Sequence, residues 1–131
     1  EVDGPLPKTQ MGWEIYPEGL YKFLKRTAEE YTGALPLFVT ENGMANPDIL
    51  SDGAVSDEGR IAYLQRHLAS VRQAIAEDVP VKGYFVWSLL DNYEWSLGYE
   101  KRFGLVHVDF ETLKRPPKAS YHALATALAR T

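Results

Sequence analysis

Two short apolar runs, separated by an amphipathic stretch of helical period, constrain the fold of this chain more than any other feature. Leu35–Thr40 and Val81–Trp87 are continuously apolar or nearly so, the pattern of strands covered on both faces. Between them Ile61, Leu64, Leu68, Val71 and Ile75 recur at helical spacing. Before the first run, Pro17 opens a helix carrying Leu20, Phe23, Leu24, Thr27 and Tyr31 at the same period, and Gly33 closes it. Strands that alternate with such helices are parallel, joined by right-handed crossovers, so the fold class is α/β. The count of strands is the difficulty. Two buried parallel strands close no sheet and leave long unpaired edges. A barrel of eight such units takes about 250 residues, and this chain of 131 supplies about a quarter of its strands. The expectation is a piece of a larger parallel sheet, incomplete by itself.

The remaining segments are assigned by their punctuation. Residues 1–15, with Gly4, Pro5 and Pro7, read as irregular; the start Glu1-Val2-Asp3 lacks an initiator methionine and suggests a piece of something longer. The first strand is expected over 36–41, followed by a long loop over 42–56 containing Asn46-Pro47 and Asp52-Gly53. The second helix is expected from about Glu58 to Glu77, with Ser56 or Asp57 as N-cap. Asp57 and Glu58 otherwise read as solvated acids. Phe103–Phe110 reads as a short strand or hairpin arm. Pro116-Pro117 precedes a last helix with Tyr121, Leu124, Ala125 and Leu128 inward.

Chemistry enters at the strand ends. Glu41 stands at the end of the first apolar run, directly before Asn42-Gly43. A carboxylate there is expensive if buried, and Glu is a poor strand former. In parallel α/β architectures the reacting groups stand at the C-terminal ends of strands. Asn42 would orient the turn and Gly43 would supply unusual backbone angles. The second run ends at Trp87 and leads to Asp91-Asn92-Tyr93-Glu94-Trp95, with Phe103 downstream. Neighbouring strands lie about 4.8 Å apart, so these groups can share a pocket. Carboxylates beside aromatic faces suit sugars: the acid takes two hydroxyls, the ring covers the C–H face. Each residue has a structural alternative, a salt-bridged Glu41, a solvated Glu94, or core packing for Trp87, Trp95, Phe103 and Trp13.

Composition excludes other classes. Net charge is −4 with mixed signs, which offers no basic patch for nucleic acid or anionic lipid. No apolar stretch approaches the roughly 20 residues of a membrane span. The absence of cysteine excludes a disulfide framework and favours a reducing compartment, so the expected location is cytoplasmic. His67, His107 and His122 are scattered and read as structural or exposed, so no metal and no cofactor is expected.

Several motifs together resemble one family. Thr40-Glu41-Asn42-Gly43, Trp87-Ser88-Leu89-Leu90-Asp91-Asn92-Tyr93-Glu94-Trp95 and Lys101-Arg102-Phe103-Gly104-Leu105 resemble the C-terminal part of glycoside hydrolase family 1, the β-glucosidases. Met11-Gly12-Trp13-Glu14-Ile15-Tyr16-Pro17 fits the same family just upstream, so the resemblance covers essentially the whole chain. It implies a (β/α)8 TIM barrel, of which this chain resembles strands seven and eight with their helices and loops. Residues 1–131 would then be the C-terminal fragment of one catalytic domain.

By the same resemblance Glu41 matches the catalytic nucleophile, and Glu94 the acceptor from the glycone O4 and O6 hydroxyls. Trp95 matches a donor to O3, Trp87 the platform under the sugar, Phe103 a wall near O6 and Trp13 one near the aglycone. A retaining glycosidase needs two carboxyl groups about 5–5.5 Å apart. The family's acid/base glutamate lies in an Asn-Glu-Pro motif, which this sequence lacks. No turnover is expected of the chain alone. Its partners would be β-glucosides or cellobiose-like oligosaccharides, and the N-terminal part of the same barrel, whether on one polypeptide or as a separate chain. The alternatives are a non-catalytic carbohydrate-binding or assembly fragment and a 6-phospho-β-glycosidase. The latter carries a Ser and a Lys for the phosphate, where this chain has Glu94-Trp95.

Overall fold

The computed structural model describes residues 4–129, so the first three residues of the irregular N-terminal segment lie outside it. Seven helices and strands appear in the order α1 (Pro17–Thr27), β1 (Leu37–Asn42), β2 (Leu50–Ser51), β3 (Ala54–Val55), α2 (Glu58–Ala76), β4 (Val81–Val86) and α3 (Ala119–Leu128). β1 and β4 pair in parallel, with Val39 opposite Tyr84 and Asn42 opposite Val86. The connection between them runs through α2, the expected βαβ unit. α1 continues for one π-helical turn, Ala28–Thr32, and stops at Gly33, whose φ of 58° is left-handed.

The core lies between the sheet and the helices. Leu24 of α1, Val71 and Ala74 of α2, and Val39, Val79 and Val81 form one buried cluster, with Leu20, Tyr21, Ala28, Leu37 and Tyr84 packed on it. Full burial of a Val or Leu stabilises by about 1.5–3 kcal/mol. A second cluster of Met44, Tyr63, Leu64 and Leu105 lies under the loops, touched by Ile15, Val86 and Leu124. It joins α2 and α3 to the C-terminal ends of the strands.

Several expectations need correction. Phe38 and Phe85 are 53% and 57% exposed on the side away from the helices, the face left open when a two-stranded piece of the expected larger sheet stands by itself. Their rings flank Gly83, where a Cβ would lie 2.5 Å from the Phe38 ring. Phe23 and Tyr31 are exposed as well, because the buried arc of α1 follows Leu20, Leu24 and Ala28. On α2 the buried face is Arg60, Tyr63, Leu64, His67, Val71 and Ala74, while Ile75 is exposed. Tyr121, Ala125 and Leu128 of α3 face solvent, and only Leu124 of the expected set reaches the core.

The loop over 42–56 contains a hairpin, β2 with β3, turned by Asp52 and Gly53 at φ 51° and 79°. Two successive positive φ values are what an Asp-Gly hairpin turn requires. Phe103–Phe110 forms no continuous strand; Val106 makes single bridges to Leu90 and Pro117. Among the described residues no helix is long and apolar enough to cross a membrane.

Candidate active site

The end of β1 is fixed by side chains from two other elements. The Tyr84 hydroxyl donates to Asn42 Oδ1 at 2.6 Å, and Asn42 Nδ2 donates to the Tyr63 hydroxyl at 3.3 Å. Burial pushes both phenols up from their ordinary pKa, so at neutral pH they stay protonated as hydrogen-bonding groups. The Trp87 N–H donates to the Asn42 carbonyl at 3.0 Å, extending the ladder one residue past β4. Gly43 differs from expectation here. Its φ lies outside the left-handed region, and the need for glycine comes from close approach. A Cβ at Gly43 would sit 1.7 Å from the Trp87 carbonyl oxygen.

Glu41, one residue before Asn42, is exposed. Among the described residues no hydrogen bond or ion pair to its carboxylate is found.

The loop after β4 is held from beneath. Leu105 N–H donates to the Ser88 carbonyl and Val106 N–H to that of Leu89, each at 2.9 Å, while the Asp91 N–H donates to Val106. The Asp91 side chain accepts from the Gly104 N–H at 2.9 Å and from Arg102 at 2.7 Å. Above this base the chain turns through a 3₁₀ segment, Trp95–Leu97, closed by Glu94 N–H to Gly98 carbonyl at 2.7 Å. Trp95 has φ 42° and is 82% exposed. A bulky residue at positive φ costs on the order of 1–3 kcal/mol. Leaving its ring in water forgoes the usual gain from burial.

These elements enclose one open cleft of about 480 Å³, lined by Trp13, Glu41, Asn42, Gly43, Tyr63, Trp87, Glu94, Trp95 and Phe103. All six residues singled out as candidate site residues meet there. Phe103 is buried and Trp13 half-exposed, their ring centroids 6.2 Å apart. The Trp13 segment is tied to the loop after β1 by Gln10 N–H to Ala45 carbonyl at 3.2 Å. Tyr63 was not singled out from the sequence. It falls between the apolar positions of α2, and only its polar tip hinted that it faces something other than core.

The histidines are structural or exposed, as expected. His67 Nδ1 lies 2.8 Å from the Tyr63 carbonyl, its ring stacked on Tyr63, and burial lowers its pKa. His107 is buried and likewise lowered, first by burial and then by the Arg102 charge. His122 is exposed.

The cleft is thus built at the C-terminal ends of a parallel βαβ unit, with two carboxylates and three tryptophans around it, and comparisons with known proteins identify the family. The sequence profile of glycosyl hydrolase family 1 matches residues 1–130. The chain is 56% identical over 120 residues to β-glucosidase A of Thermotoga maritima, covering 91% of this chain and 27% of that protein. It is 48% identical over 118 residues to a 6-phospho-β-galactosidase of Streptococcus equi subsp. zooepidemicus, covering 90% of this chain and 25% of that one. The structure superimposes on the family 1 β-glucosidase of Thermotoga maritima solved with isofagomine lactam at a TM-score of 0.94. That match has 51% identity and covers 98% of this chain and 29% of the solved one. The chain belongs to glycosyl hydrolase family 1, and it is a partial piece of that family's TIM barrel. It spans about a quarter to three-tenths of the length of the relatives it matches.

Proposed function

We propose that residues 1–131 are the C-terminal portion of a single catalytic barrel domain, its strands seven and eight, and supply the nucleophile half of a retaining β-glucosidase. Glu41 attacks the anomeric carbon of a terminal non-reducing β-D-glucosyl residue. The aglycone leaves with a proton from an acid/base glutamate that the rest of the barrel contributes. Water then cleaves the glucosyl ester, and the configuration is retained. Glu94 accepts from the glycone O4 and O6 hydroxyls, and Trp95 donates to O3. Trp87 lies under the ring, Phe103 walls O6 and Trp13 flanks the aglycone. The N-terminal part of the barrel is the obligatory partner, β-glucosides or cellobiose-like oligosaccharides are the substrates, and no cofactor takes part. The same proposal includes a reducing, cytoplasmic location, which a chain without cysteine suits.

One observation carries this reading: a strand-end carboxylate with no partner among the described residues shares a cleft with a second carboxylate and three tryptophans. The relative named as a 6-phospho-β-galactosidase raises a second reading. Glu94 speaks against it, since like charges about 5 Å apart repel by roughly 3 kcal/mol per unit charge at an effective dielectric near 20.

The test uses the complete barrel protein and an aryl 2-deoxy-2-fluoro-glucoside with a good leaving group, read by intact mass and peptide mapping. One glycosyl adduct on Glu41, lost in Glu41→Gln, is the expected result. A folded complete protein that takes no adduct, or takes it elsewhere, overturns the assignment of Glu41. A 6-phosphoglucoside turned over faster than the plain glucoside overturns the glucosidase reading in favour of the second one.

A further inference from the structure

Beneath the cleft, at the start of α3, lies a buried ion cluster with no part in the chemistry proposed above. Lys118 is fully buried. Its Nζ is hydrogen-bonded to Asp48 Oδ2 and, at 2.7 Å, to Asp91 Oδ1. Asp48 belongs to the loop that leaves β1 beyond Glu41, and Asp91 to the loop that leaves β4 and carries Glu94 and Trp95. One ammonium thus joins the two loops that form the cleft.

Each acid has further partners. Asp48 takes a bidentate grip from Arg60, at 2.9 and 2.7 Å. Burial by itself would raise the Asp48 pKa, but Arg60 and Lys118 outweigh it and hold it low. Asp91 is also held by Arg102, which borders Phe103, and by the Gly104 N–H. Arg60 Nη2 in turn donates to the Arg102 carbonyl at 2.8 Å.

Such a cluster is a poor source of net stability, because desolvation offsets most of the ionic attraction. What it supplies is geometry, since a buried ammonium between two carboxylates tolerates little displacement of either. We propose that Lys118 is a positioning residue: through Asp48 and Asp91 it fixes the glycone-binding loop with Glu94 and Trp95 relative to Glu41. The inference rests on the reading of Glu94 as the ligand of O4 and O6.

The experiment measures kcat/KM of the complete enzyme for an aryl glucoside and for its 4-deoxy and 6-deoxy analogues, below the melting temperature of every protein compared. The ratio reports the grip of Glu94 and is insensitive to the amount of folded enzyme. In Lys118→Met the ratio falls by about tenfold or more, towards the roughly hundredfold that a misplacement of about 1 Å can cost. Asp91→Asn, which weakens the same contact from the other side, lowers it in the same direction, and Lys118→Arg restores part of it.

A wild-type ratio retained in either folded variant overturns the proposal. Failure of both variants to fold also overturns it, assigning Lys118 to folding alone. If the wild-type enzyme does not discriminate against the deoxy sugars, or if Glu94→Gln discriminates as well as wild type, the reading of Glu94 has failed first. The positioning role then falls with it, for a reason the same data identify.

Discussion

Gly43→Ala adds a single methyl group where the segments leaving β1 and β4 lie directly against each other. The new Cβ would lie 1.7 Å from the Trp87 carbonyl oxygen, 2.8 Å from its carbon and 3.4 Å from its Cα. Contacts under 3.0 Å are essentially never seen, so the two chains have to separate by about 1.3 Å, an overpacking that costs about 1–3 kcal/mol. Both sides of the clash are main chain, so no rotamer change relieves it. Separation also breaks the 3.0 Å bond from Trp87 N–H to the Asn42 carbonyl, worth about 1 kcal/mol. The expected loss of stability is therefore about 2–4 kcal/mol. The same movement carries Glu41 and Trp87 apart, and a displacement of about 1 Å at a reacting centre can cost roughly a hundredfold in rate.

The assay is kcat/KM on an aryl glucoside with the complete barrel protein, beside its urea midpoint. Gly53→Ala serves as the comparison. A Cβ there meets nothing within 4 Å, although φ is 79°. Its left-handed backbone alone predicts a loss of about 1–2 kcal/mol with unchanged kcat/KM. A folded Gly43→Ala enzyme within about threefold of wild-type kcat/KM, far from the expected hundredfold, would refute the reasoning.

Two further outcomes follow from buried polar groups. Asp57 is 1% exposed; it pairs with Arg60 and accepts from both the backbone N–H and the hydroxyl of Ser120, at 2.8 and 2.6 Å. Asp57→Ala removes one of the two carboxylates that Arg60 pairs with and leaves the Ser120 N–H at the start of α3 without its acceptor, and is expected to cost about 1–3 kcal/mol by urea denaturation; a loss under about 0.5 kcal/mol would show the cluster to be dispensable. His67 has a lowered folded pKa, chiefly from burial, so the unfolded chain binds the extra proton first. Its contribution to stability is fully present above the unfolded pKa of about 6.5 and is lost as pH falls through the lower folded value. Melting temperature should rise from pH 5 to pH 7, with a shallower rise in His67→Gln; equal slopes in the two proteins would reject this role for His67.

What the sequence disclosed of the cleft was its local part. Glu41, Trp87, Glu94, Trp95, Phe103 and Trp13 were each legible because a strand end or an aromatic-acidic loop sets them apart, and all six line the cleft. The βαβ order was legible for a similar reason, since the hydrophobic period changes at each boundary. Asp57 is the instructive failure. It stands at the N-cap position of α2, one of the two residues expected there, but its carboxylate is buried rather than solvated and accepts from Ser120 of α3, 63 residues away. Lys118 and Asp48 are 70 residues apart, and no periodicity marks a buried ion pair of that span. The face of α3 was misjudged because an alanine-rich helix offers several equivalent apolar arcs, and only its packing chooses among them. Gly43 was read for its torsion angles when what matters is its missing side chain.

The small hairpin of β2 and β3 offers a practical freedom. Its base is moored at Asn46, Asp48 and Asp57, while Asp52 and Gly53 at its tip are exposed. Lengthening a moored loop is cheap, about 0.6 kcal/mol for each doubling, and such tips accept foreign sequence readily. Residues 52–53 are therefore the place in this chain to graft a peptide epitope or a reporter label. The added mass would hang from the far side of the moorings, and the register of Glu41 would not sense it.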